Sequence, residues 1–218
     1  MPKRALSEHR PWLLVAVACA VAFYFLRDEA IGGLYLIILK GAGVGALAAY
    51  AFHRGKGTPG ILIGVVMTLS AIGDMAIVLT LEAGGTAFFL SHLVAMALYL
   101  KFPRHHTTAS QKGLAVVLLL GTPLICWFLS QNASIALYGL ALGGMAATAW
   151  MSRFPRYRVG LGAVLFVVSD WLIFSREGPV NLAPLPDLAI WPMYFAGQFL
   201  IATGVVQTLR HELREEDD

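Results

Sequence analysis

Charge is scarce in this sequence. Lys, Arg, Asp and Glu together make up 13% of its 218 residues, against 58% apolar residues, and the mean hydropathy is +0.70. A soluble domain carries roughly a quarter of its residues as charges on its exterior, so a water-soluble globular fold is excluded. Cysteine is almost absent. Cys19 and Cys126 both lie inside apolar runs, which rules out a disulfide framework or a thiolate metal site as the organising feature and leaves the redox compartment open. The formal net charge of +3 is spread as short basic clusters between apolar runs rather than along one face, which argues against a nucleic-acid partner.

What is abundant is long apolar sequence. A helix rises about 1.5 Å per residue, so roughly 20 mostly apolar residues cross the hydrocarbon of a bilayer. Runs of that order fall at residues 11–26, 31–52, 60–80, 84–101, 113–130, 132–151, 159–175 and 188–209. Backbone polar groups cannot go unpaired in lipid, so runs this closely linked must be packed helices. The expectation is an all-α polytopic membrane bundle of about eight transmembrane helices. It forms one transmembrane domain over 1–218, with short cytoplasmic tails at 1–10 and 210–218. The first run, preceded by Lys3, Arg4 and Arg10, also has the small-residue character of a signal peptide. Removing it would leave an odd number of spans, and it is read as a helix.

Of the 16 Lys and Arg residues, 13 lie before the first run, in the loops after runs two, four and six, or after run eight. The alternate loops hold only Arg27 and Arg176, and Lys40 lies within a run. This asymmetry places both termini in the cytoplasm, with the inner or plasma membrane as the expected location. A faint internal echo accompanies it. Gly64 to Asp74 in run three and Gly160 to Asp170 in run seven share their spacing. Phe88-x-x-x-His92 and Tyr194-x-x-x-Gln198 follow in the next runs. The echo suggests two parallel four-helix repeats.

An ionisable group inside a span costs at least ~2.5 kcal/mol on insertion scales, so each needs a partner or a task. Lys40, Asp74, His92 and Asp170 are such groups, accompanied by Ser70, Ser91, Ser169, Tyr194 and Gln198. Counted from the non-cytoplasmic ends, the charged groups and Gln198 fall in one layer roughly 8–15 Å deep, which suggests a single polar pocket in the outer leaflet. Lys40 reads either as an ion pair that locks helices or as a cation for a lipid phosphate or a carboxylate. His92 reads as a satisfied core histidine or as part of a site. The serines read first as packing residues that bond to helix carbonyls, because no G-x-S-x-G elbow is present. Zinc held by His92, Asp74 and Asp170 is disfavoured by the lone intramembrane histidine. His105 and His106 fall in a basic loop and read as a solvated turn.

The segments Leu69-Ser70-x-x-Gly73-Asp74, Phe88-x-x-x-His92, Gly162-Ala163-x-Leu165-Phe166-x-x-Ser169-Asp170 and Tyr194-x-x-Gly197-Gln198-x-Leu200-Ile201 resemble the YhhN-like family, whose members include lysoplasmalogenases. Two positions depart from its pattern: Gly41 follows Lys40 where the family usually shows Pro, and Ala95 stands where a Tyr often follows the His. The resemblance implies hydrolysis of the vinyl-ether bond of a lysoplasmalogen to a fatty aldehyde and a glycerophospho-alcohol. Asp74 and Asp170 are then the catalytic pair, and Lys40, His92, Ser70, Ser169, Tyr194 and Gln198 support or bind substrate. Such chemistry needs one carboxylic acid to protonate the alkene carbon and one carboxylate to stabilise the cation and activate water, with no metal or other cofactor. Asp74, one helix from Lys40, is expected to be the ionised member. The expected partners are a lysophospholipid substrate and membrane lipid. The alternative is a small proton-coupled transporter using the same intramembrane charges, with a non-catalytic scaffold as a third reading.

Overall fold

A computed structural model describes residues 11–29 and 33–217, with side chains through residue 212. The expected tail at 1–10 and residues 30–32 lie outside the described residues. Eight helical segments follow one another: α1 Pro11–Leu26, α2 Gly33–Arg54, α3 Gly57–Ala76, α4 Leu81–Lys101, α5 Ala109–Ser130, α6 Ala133–Met151, α7 Arg156–Phe174 and α8 Leu185–Asp217. The only extended pairing among the described residues is an isolated antiparallel bridge between Pro103 and Ser152, which ties the α4–α5 loop to the α6–α7 loop. Seven of the helices are long and apolar enough to cross a membrane, while α1, at 16 residues, is apolar but shorter. The chain is a multi-pass helical membrane protein. Its outward surface agrees, since large apolar residues such as Phe25, Leu124 and Phe128 are more than half exposed where a soluble protein would place charge.

The helix boundaries follow local chemistry. Thr80 caps α4 by accepting the Ala83 N–H at 3.0 Å, and Thr108 forms a capping box with Gln111 at the start of α5. Asn132 accepts the Ser134 N–H at 2.9 Å to open α6. Pro123 cannot donate to the carbonyl one turn back, and α5 widens over Val117–Gly121 immediately before it. Pro192 in α8 likewise leaves the Leu188 carbonyl without its helical donor, and the Tyr24 hydroxyl of α1 donates to it at 3.4 Å. Caps move the expected boundaries by a few residues. Run three was expected to reach residue 80, but α3 ends at Ala76 and Thr80 belongs to the next helix. The segment expected as a tail at 210–218 is helical as far as Asp217, and Asp218 lies outside the described residues.

Packing places α2, α3, α4, α6, α7 and α8 in sequence around the bundle, with α8 returning against α2 and α3, while α1 flanks α2 and α5 flanks α6. The halves correspond in this: α2 meets α8 much as α6 meets α4. Trp191 of α8 donates its indole N–H to the Ala20 carbonyl at 2.9 Å, and Leu13, Ala16 and Ala20 are buried, so α1 is built into the bundle. At the basic end, Arg153 pairs with Glu212 at 3.0 Å, and His105 and His106 lie exposed in the loop. The polar site lies at the other end.

Candidate functional site

Two aspartates, from the ends of α3 and α7, define the site. Asp74 and Asp170 are 2% and 4% exposed, and each is held by a tyrosine hydroxyl from a helix in the opposite half or beside it. Tyr194 of α8 donates to Asp74 Oδ2 at 2.8 Å. Tyr138 of α6 donates to Asp170 Oδ2 at 2.7 Å. Behind Tyr194, one turn along α8, Gln198 Nε2 donates to the tyrosine oxygen at 3.4 Å. Behind Tyr138, His92 Nε2 of α4 shares a hydrogen bond with the tyrosine oxygen at 3.0 Å. Buried polar groups are expensive unless paired, and these two chains, Asp74–Tyr194–Gln198 and Asp170–Tyr138–His92, satisfy one another.

Both aspartates, both tyrosines and Lys40 line one cavity of about 480 Å³, within the range of about 300–1,000 Å³ usual for small-molecule sites. Its remaining walls are largely apolar, from Phe88, Ile135, Phe174 and Trp191 among others, and its rim carries Glu82, Asn132 and Glu177. All of these come from the helix ends opposite the basic loops. The cavity also reaches the side of the bundle between α4 and α6. Leu137, which lines it, is 62% exposed on the lipid-facing surface. Gly85, across the gap, has nothing within 4 Å of where a side chain would begin.

Lys40 faces the same space. Its ammonium lies 5.9 Å from the centre of the Phe23 ring and interacts electrostatically with Asp74, but among the described residues it joins no ion pair. The expectation that His92 shares the cavity wall is corrected: it is 1% exposed, absent from the lining, and reaches the site only through Tyr138. Gln198 stands equally behind Tyr194. Asp74, Asp170 and His92 do not form a cluster of metal-binding groups among the described residues, because Tyr138 stands between the imidazole and the nearer carboxylate.

Ser70 and Ser91 are occupied elsewhere, and Ser169 is shared between a helix carbonyl and Asp170. Ser70 Oγ meets Ser91 Oγ at 2.9 Å, and Ser91 donates to the Val66 carbonyl at 3.0 Å, joining α3 to α4. Ser169 donates to the Phe166 carbonyl at 2.7 Å and lies 3.4 Å from Asp170 Oδ1. Glycine chemistry explains part of the sequence pattern around them. A side chain at Gly73 would begin 2.9 Å from the Phe88 ring, so this position lets Phe88 close over the turn that carries Asp74. Phe88, Phe166 and Tyr194 then meet edge to face at centroid distances of 5.1 to 5.8 Å. Tyr138 is the residue that sequence reasoning missed. It lies in the part of the sixth run away from the basic loops, and counting tyrosines as well as charged groups at that depth would have found it.

The YhhN family profile matches residues 35–205, a range that holds every residue of the site. Two proteins named lysoplasmalogenase, from Mycobacterium bovis and Mycobacterium tuberculosis, are each 28% identical to the chain over 151 residues, 63% of this chain and 58% of theirs. The chain thus spans somewhat over half the length of these curated relatives. No solved structure matches it.

Proposed function

The chain belongs to the YhhN family, and we propose that it is an intramembrane lipid hydrolase that cleaves the vinyl-ether bond of a lysoplasmalogen. The observation that carries this reading is the pair of buried aspartates, each gripped by a tyrosine hydroxyl, facing one largely apolar cavity. The name of the mycobacterial relatives supports the substrate class. In this reading one carboxylic acid gives its proton to the alkene carbon remote from the ether oxygen. The resulting oxocarbenium ion is stabilised by the other carboxylate, which takes a proton from the attacking water. The hemiacetal then collapses to a fatty aldehyde and a glycerophospho-alcohol. These steps use only the side chains named and water.

The shape of the site suits a lipid with one tail. The headgroup sits at the rim, the reacting bond lies between the aspartates, and the tail leaves through the gap beside Leu137 and Gly85 into the bilayer. A Gly85→Trp variant, filling open space at that gap, is expected to raise KM for lysolipid by roughly tenfold with a smaller change in kcat, as loss of uniform binding does. An unchanged KM would place the tail elsewhere.

The whole chain acts as one transmembrane domain with both termini in the cytoplasm, so the cavity opens toward the outer face. A reporter fused after Asp218 is expected to read cytoplasmic, and an external reading would invert the site. The decisive assay uses the purified chain in detergent with a lysoplasmalogen and, in parallel, a lysophospholipid lacking the vinyl ether. Aldehyde release from the first alone is expected. Flux across vesicles without aldehyde release would favour the transporter and overturn the hydrolase reading.

A further inference from the structure

The two aspartates are alike in sequence setting and in their tyrosine partner, but the groups behind those tyrosines differ in kind. Resting on the hydrolase reading, we infer that Asp170 is the proton donor and Asp74 the carboxylate, with His92 and Tyr138 acting as positioning residues that let Asp170 exist in both protonation states.

A tyrosine hydroxyl carries one proton, so the chain Asp170–Tyr138–His92 has two complete arrangements. With Asp170 ionised, His92 Nε2–H donates to the Tyr138 oxygen and Tyr138 donates to Asp170 Oδ2, across the observed 3.0 and 2.7 Å. With Asp170 protonated, its O–H donates to Tyr138 and Tyr138 donates to a bare His92 Nε2. Besides the proton on Asp170, the Tyr138 hydroxyl turns from one partner to the other and the imidazole changes tautomer. The hydrogen bonds between Asp170, Tyr138 and His92 Nε2 are kept in either state, and an unsatisfied buried group would cost about 1–3 kcal/mol.

Asp74 is set to rest ionised. Gln198 Nε2 donates to the Tyr194 oxygen, and Tyr194 donates to Asp74 Oδ2. Both donors point toward the carboxylate, and reversing the chain would require the Gln198 amide to turn over, where His92 need only change tautomer. Lys40, the cation of the cavity, interacts with Asp74. A proton that Asp74 holds in passing falls on Oδ1, the oxygen that Tyr194 does not occupy. The carboxylate that rests ionised is therefore the group that faces the oxocarbenium ion and takes the water proton.

The protons balance over the cycle. Asp170 gives its proton to carbon, and a C–H bond forms as the alkene π bond is lost. Water adds to the oxocarbenium carbon and gives a proton to Asp74. On collapse the hemiacetal hydroxyl returns a proton to Asp170, and Asp74 gives its proton to the departing glycerol oxygen. Both groups return to their starting states, and the sum is vinyl ether plus water to aldehyde plus alcohol.

The test is binding of a single-chain lysolipid analogue in which a secondary ammonium replaces the ether oxygen, measured on the full chain in detergent. The ammonium stands in for the oxocarbenium charge. Asp74→Asn is expected to weaken its binding by about tenfold or more, since a buried charge loses its partner, while Asp170→Asn stays within about threefold of wild type. Infrared spectroscopy of the resting protein adds a second measurement that Asp170→Asn alone can decide: a protonated-carboxyl stretch sensitive to D2O should be present in wild type and absent from that variant. His92→Gln should lower kcat while leaving analogue affinity in place. The reverse dependence, equal losses in both variants, or a carboxyl band that survives Asp170→Asn would overturn the assignment. A wild type that releases no aldehyde and binds no analogue would instead sink the hydrolase reading beneath it.

Discussion

Replacing Asp170 with Asn is expected to cut aldehyde release by about 10² to 10⁴-fold, the usual contribution of general acid–base assistance, while the bundle stays folded. Asn keeps the size of the side chain, and its amide oxygen can still accept the Tyr138 hydroxyl that now lies 2.7 Å from Oδ2. It has no acidic proton to give to carbon. Asp74→Asn should lose a similar factor by another route, because the oxocarbenium ion and the attacking water lose their carboxylate. That change also takes from Lys40 the carboxylate it interacts with across the cavity, a loss that Asp170→Asn does not bring. Asp74→Asn is therefore expected to melt lower than Asp170→Asn. The measurements are kcat and KM for lysoplasmalogen beside a thermal melt of each purified variant. Near-normal aldehyde release from a folded variant of either residue would remove that residue from the chemistry.

Much of the fold was legible because lipid simplifies the problem. A run of about 20 apolar residues has one way to satisfy its backbone, so the eight segments and their order could be read directly, and the first run matches α1 end for end. Boundaries were less legible because caps, not hydropathy, set them: Thr80, read as the end of run three, caps the start of α4. In the site, ionisable residues announced themselves by their cost in the membrane, and three of the four line the cavity. His92 shows the limit of that reasoning. Depth along a helix says nothing of which way a side chain faces, and His92 faces Tyr138 rather than open space. Tyr138 stayed hidden for a related reason, since a tyrosine in a span carries no charge penalty and passes as an aromatic packing residue. The hydrogen-bond direction that separates Asp74 from Asp170 depends on Gln198 and His92 meeting tyrosines from elsewhere in the bundle, a pairing no spacing reveals.

Gly197→Val is expected to have the largest structural effect. Helices α7 and α8 cross at Gly162 and Gly197. A side chain at Gly197 would begin 2.6 Å from the Gly162 carbonyl oxygen, and one at Gly162 would begin 2.7 Å from the Gly197 carbonyl oxygen. The clashing atoms are backbone, so no rotamer change relieves them, and the helices must separate. Small residues at such crossings allow the close packing that holds membrane helices together, and overpacking costs typically 1–3 kcal/mol, occasionally more. The crossing also sets the site. Gly197 lies between Tyr194 and Gln198, so displacing α8 draws the Tyr194 hydroxyl from Asp74, now 2.8 Å away, and disturbs the Phe166–Tyr194 contact at 5.1 Å. Gly197→Ala should show a milder form of the same defect, because its one added carbon already meets the carbonyl. Gly113→Ala is the control: its added carbon has open space, and in a helix the change is expected to be neutral or slightly stabilising. Thermal melting followed by size-exclusion chromatography reads the series. A Gly197→Val protein as stable as Gly113→Ala would show that α7 and α8 do not cross at this point.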